Sequence, residues 1–410
     1  MHVLFVHKNF PAQFGHIARF LIDRYGFRCT FASEKASSKH QGLERIQYRP
    51  RGGASESTHF LSRSFENQVC HSEGLFESLK ERPDIRPDLV VGHSGFVSTL
   101  YLRELYDCPF ITYIEFFYHT RNSDLDFRVD LPQCGIKDLL RARTRNAMLL
   151  LDLENCDRGY APTNFQRKQL PAAYQTKLAT IFDGIDTRFW CPVSSPERRI
   201  GGWNLPADKK IITYVSRGME AMRGFDIFMK IAKAVCDRRD DVLFVVVGED
   251  RVAYGGDLRY TEGSTFKQWV LSQDDYDLSR ILFLGRIPTP QLRNLFSITS
   301  LHVYLTAPFV LSWSLMNALA CGATVMASDT APVCEMIEHD SNGLLFDFFD
   351  VDQAAEQACA VLDDPSAYNR LGDSAIERIA RDYDLERCLE KMLSLYESAL
   401  HGGRSERDID

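Results

Sequence analysis

Several short runs in this chain are apolar at nearly every position, and each is followed by a polar loop and a helical pattern. HVLFV at 2–6, LVVG at 89–92 and VLFVVVG at 242–248 are examples. Strands buried on both faces have this composition, and they occur in parallel sheets whose connections are helices. One series of such units ends near residue 115 and a second starts near residue 209. The sequence therefore predicts an α/β chain with two doubly wound domains.

The 410 residues are enough for two or three domains, and the segment from Asp186 to Asp208, rich in Pro, Gly and charge, has the composition of an interdomain linker. We predict a first domain over 1–190 together with a C-terminal helix at about 384–401, a linker over 191–208 and a second domain over 209–383. Residues 366–400 have the pattern of terminal helices, and the polar tail 402–410 is predicted to be disordered. The polar segment 35–65 is assigned no element.

Charge and composition exclude several classes of protein. With 48 Lys and Arg against 56 Asp and Glu, the net charge of −8 argues against a protein that coats nucleic acid. Residues 1–190 carry a balance of +3, from 25 basic and 22 acidic residues, and the remainder carries −11. The first half is therefore the better face for an anionic acceptor or membrane surface.

The eleven cysteines indicate the compartment. No two of them have C-x-x-C spacing, which gives no support for a zinc or iron–sulfur site, and their number is odd. Buried free thiols in a reducing cytosol fit this pattern best. No signal peptide and no apolar run of about 20 residues is visible. We expect a cytoplasmic protein, with peripheral association at the inner face of the membrane left open.

The order of several segments gives the chain a family resemblance. They are VHKNFPAQFGHIARFL, DLVVGHSGF, ITYIEFFYH, ATIFDGIDTRFWCP, YVSRGMEAMRGFDIFM and PFVLSWSLMNALACGATVMASDTAPVCEMI. Together they span most of residues 1–350 and resemble glycosyltransferase family 4, in a bacterial branch with FPxQF and PFVLSWS motifs. The resemblance implies the GT-B fold, two facing Rossmann-like domains, with a C-terminal helix crossing back to the first. It also implies retaining enzymes that use nucleotide-sugar donors.

Two cations flank the first strand–helix turn of the second domain. Arg217 follows a buried strand, and Arg223 stands six residues later, at the mouth of a helix that starts with Gly224. In the family an Arg and a Lys stand here and hold the donor diphosphate. Fixed cations stabilise the negative charge that grows on a leaving diphosphate. The alternative for each arginine is a surface salt bridge.

The loop PFVLSWS passes into a helix near Ser312, Ser314 and Leu315. Free N–H groups at a helix start can seat a phosphate, and the two serines can cap the helix or bond a phosphate oxygen. The family typically carries two glutamates seven residues apart around this loop, for the donor sugar and the ribose. Here Asn317 takes the second place, and the first falls on Phe309, with seven residues between them, or, with an insertion, on Ala307.

In the first domain, polar residues stand at strand ends. Gly15 and His16 belong to the loop and helix after the first strand, which in the family line the site under the diphosphate or acceptor. His93 ends another strand, either as a catalytic group or as a packed core histidine. Glu115 ends the next strand, where many relatives have a histidine near the donor sugar, and His119 follows on the acceptor side. Glu115 could stabilise an oxocarbenium-like sugar.

A buried ion pair with Arg121 or Arg128 is the alternative role for that carboxylate. Further along, Lys137, Arg141 and Arg145 recur at four-residue spacing on one helix face. This face could touch an anionic lipid-linked acceptor or a membrane, or it could be a solvated surface.

We predict a retaining, metal-independent hexosyltransferase with a nucleotide-sugar donor and no cofactor. The acceptor would be a glycan, lipid-linked or protein hydroxyl, in the assembly of a surface glycan, glycolipid or other glycoconjugate. Because Asn317 replaces a glutamate, a catalytically impaired homologue that binds nucleotide-sugar or partners an active transferase is the alternative. A nucleotide-sugar epimerase of similar architecture is a third reading and would need additional acids.

Overall fold

A computed structural model describes residues 1–35 and 42–402. The chain divides into two compact units, each formed from separate stretches of sequence. The first contains Met1–Leu125, Cys134–Gly184 and the chain from Glu386 onward, and the second contains Asp126–Gln133 and Ile185–Leu385. The predicted boundaries at 190, 208 and 383 stay predictions. Residues 403–410 of the predicted tail lie outside the described residues.

The first unit is built on a seven-stranded sheet in which all neighbouring strands are parallel, in the order β3-β2-β1-β4-β5-β6-β7. The strands are β1 His2–Val6, β2 Arg28–Ser33, β3 Leu43–Gln47, β4 Leu89–His93, β5 Phe110–Tyr113, β6 Arg158–Ala161 and β7 Leu178–Thr180. The helices between them are α1 Gly15–Tyr25, α2 Arg63–Lys80, α3 Asp124–Phe127, α4 Ile136–Arg145, α5 Ala147–Asn155 and α6 Asn164–Lys168.

The second unit repeats the plan with a six-stranded parallel sheet in the order β12-β11-β10-β13-β14-β15. An antiparallel pair, β8 Arg199–Ile200 and β9 Trp203–Asn204, precedes it. The sheet strands are β10 Lys210–Gly218, β11 Val242–Glu249, β12 Ile281–Gly285, β13 Leu301–Tyr304, β14 Val325–Ser328 and β15 Leu344–Phe346. The helices are α7 Phe225–Cys236, α8 Phe266–Ser272, α9 Thr289–Ile298, α10 Trp313–Ala320, α11 Ala331–Cys334, α12 Val351–Asp363 and α13 Pro365–Arg378.

A π-helical turn, Ile379–Tyr383, leads into the last helix, α14 Leu385–Gly402. All but the first residue of α14 belongs to the first unit. Its buried Tyr396 ring lies 6.5 Å from the ring of Phe5 in β1. The prediction of an α/β fold with two Rossmann-like domains and a helix returning to the first is therefore confirmed.

Burial explains why these strands could be predicted. The five residues of β1 and the five of β4 are all buried, and the two strands pair in register from Val3 with Leu89. By contrast β3, with the sequence LERIQ, has one buried residue. It is an edge strand whose Glu44 takes ion pairs from Arg28 and Arg82, so apolar patterning did not reveal it.

The sequence pattern also predicts helices over 96–106 and 331–338, and both segments contain less helix than that. The stretch 96–106 contains only a 3-10 helix, Leu100–Glu104. Here the Ser98 hydroxyl accepts a hydrogen bond from the Leu100 N–H and donates one to buried Asp152, which fixes a non-helical start. The helix predicted over 331–338 ends at Cys334.

All eleven cysteines lie within the described ranges and are free thiols. Across residues 1–35 and 42–402, no helix is both long enough and apolar enough to cross a bilayer.

Candidate functional site

The carboxyl end of β10 presents the first predicted cation. Residues Ile211 to Ser216 of this strand are buried, whereas Arg217 is exposed. Its Nη1 lies 3.4 Å from the hydroxyl oxygen of Tyr254, which belongs to the loop after the neighbouring strand β11. The strand therefore leaves the guanidinium at the edge of the sheet where ligands of doubly wound folds bind.

Arg223, the second cation, is buried, with 5% of its surface exposed. Its Nη1 donates to Thr306 Oγ1 over 2.8 Å and lies 3.4 Å from Tyr304 Oη. Its guanidinium carbon lies 5.5 Å from the ring centroid of Tyr254 and 5.8 Å from that of Phe309. The next residue, Gly224, has φ +61, and a Cβ there would lie 2.7 Å from the Cβ of Leu305.

The partners of both arginines are neutral. In the described part of the chain, no carboxylate lies within ion-pair distance of Arg217 or Arg223, so the salt-bridge alternative is not what the structure has. A buried cation that no carboxylate contacts directly is unfavourable, and an anionic ligand would supply a direct partner. The two arginines are held by residues that were not predicted as site residues: Tyr254, Tyr304 and Thr306. The order of the strands in the sheet brings these residues to the arginines, and a single sequence does not reveal that order.

The start of α10 is joined to this arginine pair. The Ser312 N–H donates to Tyr304 Oη over 2.9 Å, and the Ser312 hydroxyl accepts from the Ser314 N–H, so Ser312 caps the helix. The Ser314 hydroxyl donates to the Val215 carbonyl over 3.1 Å. Leu315 is fully buried and its N–H donates to the Ser312 carbonyl. Capping is thus observed, while phosphate contact stays a prediction.

Asn317 lies one turn into α10 and is 8% exposed. Among the described residues its side-chain amide has no hydrogen-bond partner. The amide is therefore available to a ligand hydroxyl. Phe309, the first of the two glutamate positions, contacts Tyr254 with ring centroids 5.3 Å apart and cannot replace a carboxylate.

In the first unit, three adjacent strands bring polar residues together. β1, β4 and β5 are neighbours, and they are followed or ended by His7, His93 and Glu115. His93 Nε2 lies 3.5 Å from Glu115 Oε2, and Gln13 Nε2 donates to Glu115 Oε1 over 2.7 Å. The structure thus joins two predicted catalytic residues, and Glu115 pairs with His93 rather than with Arg128, which pairs with Asp130 and Asp226.

In the His93–Glu115 cluster, two opposing effects act on the pKa of Glu115. Burial would raise the pKa of Glu115, but hydrogen bonding and charge from His93, with the bond from Gln13, outweigh it and hold the pKa below its ordinary value. The His7 ring lies 4.9 Å from that of His93, and burial lowers the pKa of His7 to about 3, so it is neutral. His7 was not predicted as a site residue, although its place directly after β1 was a usable signal.

The contacts of three other predicted residues, Gly15, His16 and His119, do not include the His93–Glu115 cluster. Gly15 begins α1, and a Cβ on it would lie 2.8 Å from Pro11 Cβ, so only glycine fits this tight entry. His16 is exposed. The His119 ring lies 2.9 Å from the Gln169 carbonyl and lines a cavity of about 570 Å³ with Leu170 and Pro171.

A second cavity, of about 220 Å³, opens beside the ends of β1 and β4. Its lining includes Lys8, Asn67, Gln68, His71, Tyr118 and Arg145. Lys8 lies 3.6 Å from Glu34, whereas Arg145 lies over the Tyr118 ring at 3.8 Å and pairs with no carboxylate among residues that the structure describes. The cavity is therefore polar and carries an uncompensated positive charge.

The predicted basic helix exists as α4, and its last residue, Arg145, is the one that reaches this cavity. Lys137 is exposed, and Arg141 lies over Phe60 at 5.2 Å. No group of three or more His, Cys, Asp or Glu side chains that could hold a metal occurs within residues 1–35 and 42–402.

Both halves of the chain match family models of glycosyltransferases. Residues 25–190 match the model described as glycosyl transferase family 4 group, and residues 197–378 match the one described as glycosyl transferases group 1. Solved structures share the fold over nearly the whole chain. Sucrose-phosphate synthase from Thermosynechococcus elongatus has a TM-score of 0.74 at 18% identity, covering 98% of this chain and 100% of that one.

Anabaena HepE in complex with UDP-glucose has a TM-score of 0.69 at 15% identity, covering 97% of this chain and 100% of that one. Among curated proteins, the chain is 22% identical to N-acetyl-alpha-D-glucosaminyl L-malate synthase of Bacillus anthracis, over 56% of this chain and 55% of that protein. It is 24% identical to D-inositol 3-phosphate glycosyltransferase 1 of Catenulispora acidiphila, over 60% of this chain and 59% of that protein. The chain thus spans less than two thirds of these two relatives. It is a homologue of GT-B glycosyltransferases.

Proposed function

We propose that this chain is a retaining glycosyltransferase that moves a hexose or hexosamine from a nucleotide-diphosphate sugar to a hydroxyl acceptor. One observation carries the proposal: Arg217 and Arg223 lie at one strand–helix turn with neutral partners only, within the described residues. A diphosphate is the anion that such a pair suits, because its charge increases as the sugar leaves. HepE, whose structure contains UDP-glucose, has the same fold.

The proposed step is a front-face displacement. The bond from the anomeric carbon to the diphosphate oxygen breaks, and a bond to the acceptor oxygen forms on the same face. The acceptor proton passes to the leaving diphosphate. Arg223 and Arg217 hold the charge of the leaving group, with the start of α10 beside them, and Glu115 with His93 would stabilise the positive charge on the sugar.

No divalent metal is required in this proposal, since the two guanidinium groups supply the positive charge that a metal would otherwise supply. Adding EDTA should therefore leave the transfer rate unchanged. A rate that falls with EDTA and returns with Mg²⁺ or Mn²⁺ would overturn this part of the proposal.

The acceptor is proposed to carry a negative charge. The cavity beside β1 and β4 presents Lys8 and Arg145, and an anionic group would complete the hydrogen bonding of Arg145. Two relatives are named for malate and inositol 3-phosphate, both of which are anionic. Replacing Arg145 by Ala should raise the KM for an anionic acceptor and leave donor binding unchanged.

The main test uses the double variant R217A/R223A. Wild-type protein should bind UDP or GDP in calorimetry and turn over the matching nucleotide-sugar, whereas the double variant should do neither and still melt cooperatively. R238A is a matched control, because Arg238 is exposed and pairs with Asp352. Unchanged turnover in the double variant would refute the assignment.

A catalytically impaired homologue is the second candidate, favoured by Asn317 and by the lack of any carboxylate between Val303 and Asn317. Such a protein would bind UDP or GDP but neither hydrolyse nor transfer any nucleotide-sugar, even with cell extract as the acceptor source. Measurable release of nucleotide diphosphate would exclude it.

A further inference from the structure

Between the two arginines in sequence stands a carboxylate to which neither the sequence pattern nor the proposed chemistry gives a role. The Glu220 side chain is fully buried. Its Oε2 accepts hydrogen bonds from the backbone N–H groups of Ala253 and Tyr254, the latter over 2.8 Å. Its Oε1 is buried and has no hydrogen-bond partner in the part of the chain that the structure describes. A buried carboxylate with one unsatisfied oxygen is costly, and such groups call for an explanation.

Those two N–H groups hold the loop that carries Tyr254. The Tyr254 hydroxyl lies 3.4 Å from Arg217, and its ring lies 5.5 Å from the Arg223 guanidinium and 5.3 Å from the Phe309 ring. The loop also packs tightly on β10, since a Cβ at Gly218 would lie 2.4 Å from the Arg251 carbonyl. The Glu220 side chain therefore fixes the backbone of Tyr254, the residue that contacts both arginines.

We propose that Glu220 is a positioning residue for the donor site: when ionised, it anchors the 253–254 backbone so that Tyr254 keeps both arginines in place, and protonation releases that anchor. The proposal rests on the proposed function, because it assumes that the arginine pair binds a nucleoside diphosphate. Glu220 itself, fully buried, does not touch the ligand.

The surroundings of Glu220 place its ionisation in the physiological range. Burial raises its pKa to about 7, opposed by the N–H groups of Tyr254 and Ala253 and by the charge of Arg223, and assisted by Asp257. Asp257 is itself buried and accepts from the Ala221 N–H and the Tyr260 hydroxyl. Asp226 and Arg128, whose charges act on Asp257, form an ion pair with each other, and the buried Tyr214 hydroxyl donates to the Arg223 carbonyl.

Stability and ligand binding then depend on pH in opposite directions. Because the pKa is raised above its unfolded value of 4.5, the folded state prefers the protonated group. The stability that protonation contributes is fully present below about pH 4.5 and is lost as pH rises through about 7. The anchored loop, in contrast, requires the ionised group, which is half populated at about pH 7 and predominates above it.

The test compares wild-type protein with E220Q, since Gln keeps the shape of the protonated carboxyl, carries no charge and cannot titrate. Calorimetry with UDP and with GDP from pH 5.5 to 8.5 should show wild-type affinity falling about tenfold between pH 8 and pH 6. The E220Q profile should lack that fall and stay near the lower, acidic-pH affinity of wild type, because the neutral side chain cannot form the charged anchor. The diphosphate itself titrates in this range, but equally for both proteins, so the difference between profiles isolates Glu220.

Two further measurements keep the test decisive. E220Q should melt at a higher temperature than wild type at pH 8.5 and at nearly the same temperature at pH 5. Y254A, in which Glu220 remains, should bind UDP or GDP more weakly and lose the same pH dependence, even if E220Q does not fold. Parallel profiles of wild type with E220Q, or of wild type with Y254A, would overturn the proposal. If wild type binds neither UDP nor GDP at any pH, the proposed function fails instead.

Discussion

The two units place their polar residues at the same edge of similar sheets, yet they manage charge in opposite ways. In the second unit, Arg217 and Arg223 have hydroxyl and aromatic partners and form no ion pair among the described residues, although the charges of Arg223 and buried Glu220 act on each other. In the first unit, the carboxylate of Glu115 already has polar partners, His93 at 3.5 Å and Gln13, which donates a hydrogen bond to it. The difference indicates that the second unit is prepared for an anion, whereas the first holds a preformed polar cluster that can respond to charge developing on a substrate.

Replacing the buried arginine should lower kcat/KM far more than replacing the exposed one. R223A should lower kcat/KM about 10²–10³-fold, the loss found when a preorganised buried donor to the transition state is removed. R217A should lower it only about fivefold, since exposed charges contribute up to about 1 kcal/mol. Steady-state kinetics with the donor varied would measure both.

High salt should separate the effects of the two arginine substitutions further. The smaller loss in R217A should disappear in 1 M NaCl, where exposed charges are screened, while the loss in R223A should persist. Equal losses in both variants, or a salt-sensitive loss in R223A, would mean that burial does not distinguish the two arginines.

The next effect tests the first unit. E115Q should lower kcat about 10-fold or more with little change in the dissociation constant of UDP or GDP, because the carboxylate is proposed to act on the sugar only. It should also destabilise the protein by about 1 kcal/mol at pH 7, the difference between a charged and a neutral hydrogen bond.

The sign of the pH dependence follows from the lowered pKa of Glu115. Its contribution to stability is present above its unfolded value of 4.5 and is lost as pH falls below that value through the folded pKa. Urea unfolding of wild type and E115Q should therefore differ at pH 7 and converge at low pH. A difference that grows with acidification would contradict the assigned contact with His93.

The smallest effect concerns Asn317. N317E should increase affinity for UDP or GDP about fivefold, because a charged acceptor adds roughly 1 kcal/mol over a neutral one at a ribose hydroxyl. N317A should weaken binding by a similar factor. Calorimetry would measure both changes, and a loss of affinity in N317E would show that Asn317 does not face the ligand.

Much of the fold could be predicted because its strands are buried on both faces and carry few polar residues. Three strands of the first sheet, β3, β6 and β7, were not predicted. Of these, β3 lies at the edge of its sheet and uses Glu44 in ion pairs with Arg28 and Arg82, so it has no apolar signature. Likewise, the closeness of Arg217 and Arg223 follows from the spacing of a strand–helix turn.

The remainder of the candidate site depends on strand order, which a single sequence does not reveal. Tyr254 reaches Arg217 because β11 lies beside β10. His7 reaches His93 because β1 lies beside β4, although 86 residues separate them in sequence. The polar residues at the end of each strand could therefore be predicted as site candidates. Which of them lie close together in the fold could not be predicted.

The short segment Asp126–Gln133, grouped with the second unit, has a consequence for any exchange of halves between homologues. Arg128 in this segment bonds the Ala221 carbonyl and forms a buried ion pair with Asp226, one residue into α7. A chimera cut once, near residue 184, would leave its Asp226 facing whatever the new partner carries at position 128. An unmatched buried carboxylate of this kind costs about 3–5 kcal/mol. A chimera should therefore fold only if the segment 126–133 and the residues 221–226 come from the same parent.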